Sequence, residues 1–190
     1  MGWADGDYLG RPLRELMADV GGSDPVPAAG STAAATGALA AALTAKVARR
    51  SRKRLSDADE LAERADRLRS RLEPLVTLDA EAYAAALAAR RDGVDTKPTW
   101  KEAASWPETI AYVCADIADL AAHLTAEGNP NLRFDASGAA SFAAATAEVA
   151  SALVAANEGG VESVRAAADR ARQAADRAVS STGLSDDRDT

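Results

Sequence analysis

The chain is poor in almost everything that staples, stacks or ligates. Its 190 residues include one cysteine and one histidine, and aromatic residues make up only 4%. A lone cysteine, Cys114, permits no internal disulfide and suits a reducing cytosol. A lone histidine, His123, has no second His or Cys near it, so no metal site is expected. Positive charge is also short. The 22 Lys and Arg against 29 Asp and Glu leave a formal net charge of −7, which argues against general affinity for nucleic acid or anionic membranes. No apolar run reaches the roughly 20 residues that span a bilayer. The longest uncharged stretches, Ser31–Ala45 and the one from Ala136 to Glu148, are interrupted by Thr, Ser and Gly. Met1 to Tyr8 holds Asp5 and Asp7 without the apolar core of a signal peptide, so a cytoplasmic location is expected. Phosphate loops, dinucleotide fingerprints and Ser–His–Asp spacings are lacking as well.

What the chain does have is alanine. Hydrophobic residues reach 47% with few aromatics among them. An alanine core needs close backbones, which helices provide better than sheets, so the fold class is all-α. A short amphipathic helix is expected over about Leu9–Val20, with Leu13, Leu16, Met17 and Val20 on one face. Gly21, Gly22, Pro25 and Pro27 break it. A long helix over about Ser31–Arg54 starts without any charge, the mark of a central buried element, and ends in Lys and Arg. A third, over about Asp57–Arg91, contains Pro74 and should kink or break there. Asp92–Lys101 reads as a loop. Ser105-Trp106-Pro107-Glu108 reads as a capping box opening a helix to about Glu127. After the turn Gly128-Asn129-Pro130-Asn131, Asp135 is expected to cap an alanine-rich helix to about Asn157. A last helix, about Val161–Ser180, has a thin apolar face and should lie on the surface. Residues 1–182 are expected to form one helical domain and 183–190 a flexible tail.

Asp79 is the most informative single residue. The stripe Leu68, Leu72, Leu75, Asp79, Ala82, Ala86 puts this carboxylate on an apolar face, where desolvation raises its pKa. Such a group suits a general acid or base, or else a structural bond to a neighbouring helix end. Pro27-Ala28-Ala29-Gly30-Ser31 leads into the central helix, whose first N–H groups favour a polar or anionic ligand group; taken by itself, an ordinary Ser cap with a Gly turn is the simpler account. Lys46, Arg49, Arg50, Lys53 and Arg54 end that helix, either to meet carboxylates of a small molecule or as a solvated end matched to the dipole. Lys46, nearest the buried half, is the candidate for binding. Cys114 reads as packing.

Three segments in register carry a family resemblance. Asp24-Pro25-Val26-Pro27-Ala28-Ala29-Gly30-Ser31, followed by the small-residue helix Thr32 to Leu43, resembles the Pro-Gly-Gly-Gly-Ser start and Ala/Gly-rich helix of the cyclodeaminase and cyclohydrolase family of folate proteins. Leu78-Asp79-Ala80-Glu81-Ala82-Tyr83 is similar to its Asp-x-x-Ala-Tyr/Phe segment. Gly128-Asn129-Pro130-Asn131, Asp135 and Asn157 are similar to its Gly-Asn-x-Asn, Ser-Asp and terminal Asn pattern. The resemblance implies an orthogonal bundle of about five to seven helices. It implies a homodimer with a folate-like ligand bound near the dimer interface. It also implies an enzyme, a methenyltetrahydrofolate cyclohydrolase or a formiminotetrahydrofolate cyclodeaminase, acting on a tetrahydrofolate derivative without a covalently bound cofactor. Asp79 would then be catalytic, and Gly30, Ser31, Lys46, Tyr83, Asn129, Asn131, Asp135 and Asn157 would bind substrate. Three departures favour the alternative of a non-catalytic homodimer that binds a ligand or acts as a scaffold. Ala28 and Ala29 stand in place of two glycines, adding methyls and penalising any φ > 0. Ala45 to Ser51 replaces a Met-Val-x-Asn-Leu-Thr-like run, and Asp92–Thr99 is short.

Overall fold

Alanine has the highest helix propensity and spends no rotamer entropy, and among the described residues every regular element of this alanine-rich chain is helical. The computed structural model describes residues 8–157 and 159–183. The expected flexible tail (183–190) and the Met1 to Tyr8 stretch, read as lacking the apolar core of a signal peptide, fall outside them, except for Tyr8 and Gly183. Among the described residues there are seven α-helices: α1 Leu13–Val20, α2 Ala29–Arg49, α3 Ala58–Leu72, α4 Leu75–Asp92, α5 Lys97–Glu127, α6 Arg133–Ala156 and α7 Glu162–Ser180.

The centre is α2, which packs against α3, α4, α5 and α6. Ala34, Ala41, Ala45, Val47 and Ala48 are completely buried, and the helix axes approach closely because these side chains are small. Gly37 shows how closely: an added Cβ would sit 2.7 Å from Cys114 Sγ and 2.9 Å from a Leu72 methyl. Cys114 is itself fully buried, which pushes its thiol pKa far up, so it is inert packing. Pro74 breaks the third predicted helix outright. The proline lacks an N–H and its ring clashes with the preceding turn, so α3 stops at Leu72 and α4 starts at Leu75. Gly93 closes α4 in the left-handed conformation, φ 70°.

The Ser105–Glu108 capping box is not a helix start. Helix α5 begins at Lys97 and runs straight through Pro107. The Ser105 hydroxyl donates to Glu102 O at 2.7 Å, and the Thr109 hydroxyl donates to Ser105 O at 3.0 Å, so both serve inside the helix. Asp135 likewise does not cap α6 but sits in its first turn, where a negative charge still favours the dipole. Helix α2 starts earlier and ends sooner than the Ser31–Arg54 span. Helix α7 buries an alanine face against α5 and α6 and meets solvent with arginines, paired as Arg170–Asp116 at 2.7 Å and Arg177–Asp119 at 3.0 Å.

Two surfaces contain more apolar area than a buried bundle needs. On α1 only Leu16 is buried, while Leu13, Met17 and Val20 are exposed. The stretch Pro130–Ala156 is long and apolar enough to cross a bilayer by length and composition, with an 18-residue window of mean hydropathy 1.5. Its alanines are mostly turned onto α2, α5 and α7, leaving Phe134, Phe142 and Val149 outside.

Candidate functional site

Helix α4 lays Asp79 across the N-terminus of α2. The Asp79 carboxylate is 8% exposed and accepts the Ser31 backbone N–H. Gly30 is required by this contact, because a Cβ there would overlap both carboxylate oxygens. Two effects oppose each other on the acid. Burial raises its pKa, and the Ser31 N–H at the positive end of α2 lowers it. Burial dominates, and Asp79 is pushed up to about 6 from 3.8. Of the alternatives left open by the sequence, the bond to a helix end is present, and the raised pKa leaves the carboxyl able to exchange a proton near neutrality.

Beside this carboxylate lies a cavity of about 270 Å³, whose walls include Pro25, Val26, Ala28, Ala29, Gly30, Tyr83 and Asn157. Ser31 is completely buried behind Gly30, and its Oγ has no hydrogen-bond partner among the described residues. The two alanines that replace family glycines line the cavity without backbone strain. Ala28 has φ −133°, and Ala29 is the first helical residue. The φ > 0 penalty expected of them does not arise.

Asn157 has a second occupation. Pro107 cannot donate to Ala103 O four residues before it, and the Asn157 side-chain amide donates there instead, at 2.9 Å. One residue from the end of α6 thus mends the α5 ladder and fixes one wall of the cavity. The sequence carries a signal for it: a proline inside a helix orphans the carbonyl four residues earlier.

The remaining candidates gather at the other end of α2, some 16 residues and about 24 Å along the helix. There the Asn129 N–H donates to Ser51 Oγ at 2.9 Å, its side-chain amide to Arg50 O at 3.1 Å, and its Oδ1 accepts the Asn131 N–H at 3.1 Å. This turn ties the C-terminus of α2 to the α5–α6 connection. Asp135 stands 3.8 Å from Lys46 Nζ, both partly exposed. Of the other basic residues, Arg49 pairs with Asp66, and Arg54 reaches Glu127 O at 3.4 Å. His123 is exposed, and no cluster of metal-ligating side chains occurs among the described residues. Within one chain, then, Gly30, Ser31, Asp79, Tyr83 and Asn157 converge, while Lys46, Asn129, Asn131 and Asp135 form a separate group. Trp100 was not anticipated. It meets Tyr83 edge to face, with ring centroids 5.7 Å apart, and nothing in its spacing announced that.

The sequence model of the formiminotransferase-cyclodeaminase family matches residues 12–177. The crystal structure of formiminotetrahydrofolate cyclodeaminase from Thermotoga maritima is similar to this fold, with a TM-score of 0.81 at 26% identity, over 91% of this chain and 96% of that one. No curated protein matches the sequence.

Proposed function

The chain belongs to the formiminotransferase-cyclodeaminase family, and from that premise we propose that it is a folate enzyme that closes a formimino group into a methenyl bridge with loss of ammonia. The observation that carries this reading is Asp79: a shielded carboxyl with a pKa of about 6, held at a helix N-terminus on the wall of a cavity. Such a group both takes and returns a proton near neutrality.

In the proposed reaction N10 of the tetrahydrofolate attacks the protonated formimino carbon attached to N5, forming the second C–N bond of the bridge. The carbon then carries three nitrogens. Asp79 removes the proton from N10 and delivers it to the former imino nitrogen, which departs as ammonia. Positive charge remains on the methenyl bridge, so charge and protons balance. The ionised, shielded carboxylate also favours the cationic carbon electrostatically. Tyr83 supplies a flat wall for the ligand's ring system. A cyclohydrolase would use the same carboxylate as a base on water attacking the methenyl bridge.

We also propose that the working form is a homodimer. Thr32, Leu39 and Lys46 form one exposed stripe on α2, and Leu39, its midpoint, is 62% exposed. A two-fold axis perpendicular to α2 at Leu39 pairs the helices antiparallel. It sets the partner's stripe beside Val20 and Val149, exposed apolar residues that line one groove with Thr32 and Thr36. Residue 32 then faces residue 46 of the other copy, which brings the Lys46 and Asp135 end beside the Ala28–Thr32 rim. The two separated groups of candidate residues become neighbours in this arrangement.

The assay is spectrophotometric. Formiminotetrahydrofolate plus protein should gain methenyl absorbance with equimolar ammonia. Loss of absorbance from added methenyltetrahydrofolate, faster than in buffer, would assign the cyclohydrolase reaction instead. No change with either substrate would leave a binding protein with the family fold.

A further inference from the structure

Pro107 and Asn157 form a pair that the fold does not need. An alanine at 107 would bring its own N–H to Ala103 O and would suit a helix interior better. Instead the chain carries a fully buried proline inside α5, and an asparagine at the end of α6 completes the ladder at 2.9 Å. Any side-chain donor, a smaller hydroxyl included, could serve as such a patch. What this arrangement adds is an amide that cannot turn.

A free Asn side chain can exchange its oxygen and nitrogen by half a turn about its last bond. Ala103 O only accepts, so the atom bonded to it is Nδ2, and a flip would set two acceptors against each other. Nδ2 is thereby directed into α5, toward a residue that is itself buried. The polar atom left over is Oδ1. It receives no hydrogen bond from any described residue, and it is not sealed in the interior as Ser31 Oγ is. It therefore opens to the space that Asn157 walls, which is the Asp79 cavity on one side and a cavity against the first turns of α5 on the other. On the Asp79 side a second acceptor, the ionised carboxylate, lines the same 270 Å³. A ligand N–H between the two finds an acceptor on each side, whereas a carbonyl oxygen in that place faces two sets of lone pairs.

We propose that Asn157 Oδ1 faces the Asp79 cavity and accepts a hydrogen bond from the formimino nitrogen of the substrate, and that Pro107 is the positioning residue that fixes it there. The inference rests on the folate reading given above. A protonated formimino group ends in an NH2, and a formyl group of nearly the same shape ends in an oxygen. An acceptor that cannot turn selects the first and rejects the second, because the wrong group leaves it unpaired. The same bond holds the nitrogen beside Asp79, which gives it a last proton before it leaves as ammonia.

The test compares 5-formiminotetrahydrofolate as substrate with 5-formyltetrahydrofolate as competitor, in the parent and in Pro107→Ala. Alanine returns an N–H to Ala103 O, so the helix stays complete while the Asn157 amide is released to turn. Circular dichroism and thermal melting should show the fold retained. KM for the formimino compound should rise and the inhibition constant of the formyl compound should fall, moving their ratio by about tenfold. The preference for a cation that Asp79 contributes is common to both proteins and cancels from the comparison. Asn157→Ala, which keeps Pro107 and removes the acceptor, should lose the same discrimination and decides the matter if Pro107→Ala does not fold. An unchanged ratio, or an equal loss of affinity for both compounds, would overturn the assignment and leave the folate reading standing. So would a parent that favours the formyl compound, or one that converts methenyltetrahydrofolate alone. A parent that neither binds nor converts any of these folates would overturn both.

Discussion

Replacing Asp79 with asparagine should stabilise the protein while abolishing turnover. Burial has moved the acid from 3.8 to about 6, and at about 1.4 kcal/mol per pH unit the ionised side chain costs the fold about 3 kcal/mol. A raised carboxyl pKa means that the folded state holds the proton more tightly than the unfolded one. The cost is therefore full above about pH 6, shrinks as pH falls through 6, and is mostly gone near pH 4. Asparagine keeps an oxygen to accept the Ser31 N–H and carries no charge to desolvate. Urea unfolding at pH 7.5 should show Asp79→Asn more stable by up to about 3 kcal/mol, or up to about 6–12 °C in Tm for a chain of this size. At pH 4 the two proteins should differ by less than about 1 kcal/mol. A variant less stable than the parent at pH 7.5 would mean that the charge serves the α2 N-terminus more than burial penalises it. A stability gap independent of pH would mean that Asp79 does not titrate in this range. Either result would refute the reasoning. A stability gain joined to loss of activity is the expected signature of a group held in an unfavourable state for function.

Three further perturbations read different parts of the molecule. Gly30→Ala pushes a methyl into the Asp79 carboxyl, which is short and end-on, so the side chain should swing away; turnover should fall at least about tenfold, with a stability loss of about 1–2 kcal/mol measured by denaturant. Asn157→Ala orphans the buried Ala103 carbonyl in α5 and should cost about 1–3 kcal/mol in the same measurement, whether or not any ligand is present. Leu39→Arg leaves the monomer fold intact, because the side chain is exposed, but places two charges face to face at the proposed two-fold axis; light scattering should find a monomer, and activity should fall with the dimer.

The sequence by itself determined the helical class, the central helix and the odd placement of Asp79, because each follows from local periodicity. Alanine at helical spacing leaves no strand, an uncharged stretch can only be interior, and a carboxylate at a stripe position must be shielded. It also pointed to Pro74 as a kink or a break, and the structure shows the break. Pro107 shows the limit of the same rule. An identical residue with identical local chemistry is carried inside α5, because Asn157, 50 positions away in sequence, supplies the missing hydrogen bond. The capping box at Ser105 failed for the same cause, since a helix end is a local signal that tertiary packing can overrule. The gathering of Gly30, Ser31, Asp79, Tyr83 and Asn157 around one cavity, and the separation of Lys46, Asn129, Asn131 and Asp135 from it, was decided only by tertiary structure. Motif order fixes neither which helix end a residue meets nor how far apart two motifs lie, because a rigid 21-residue helix stands between them.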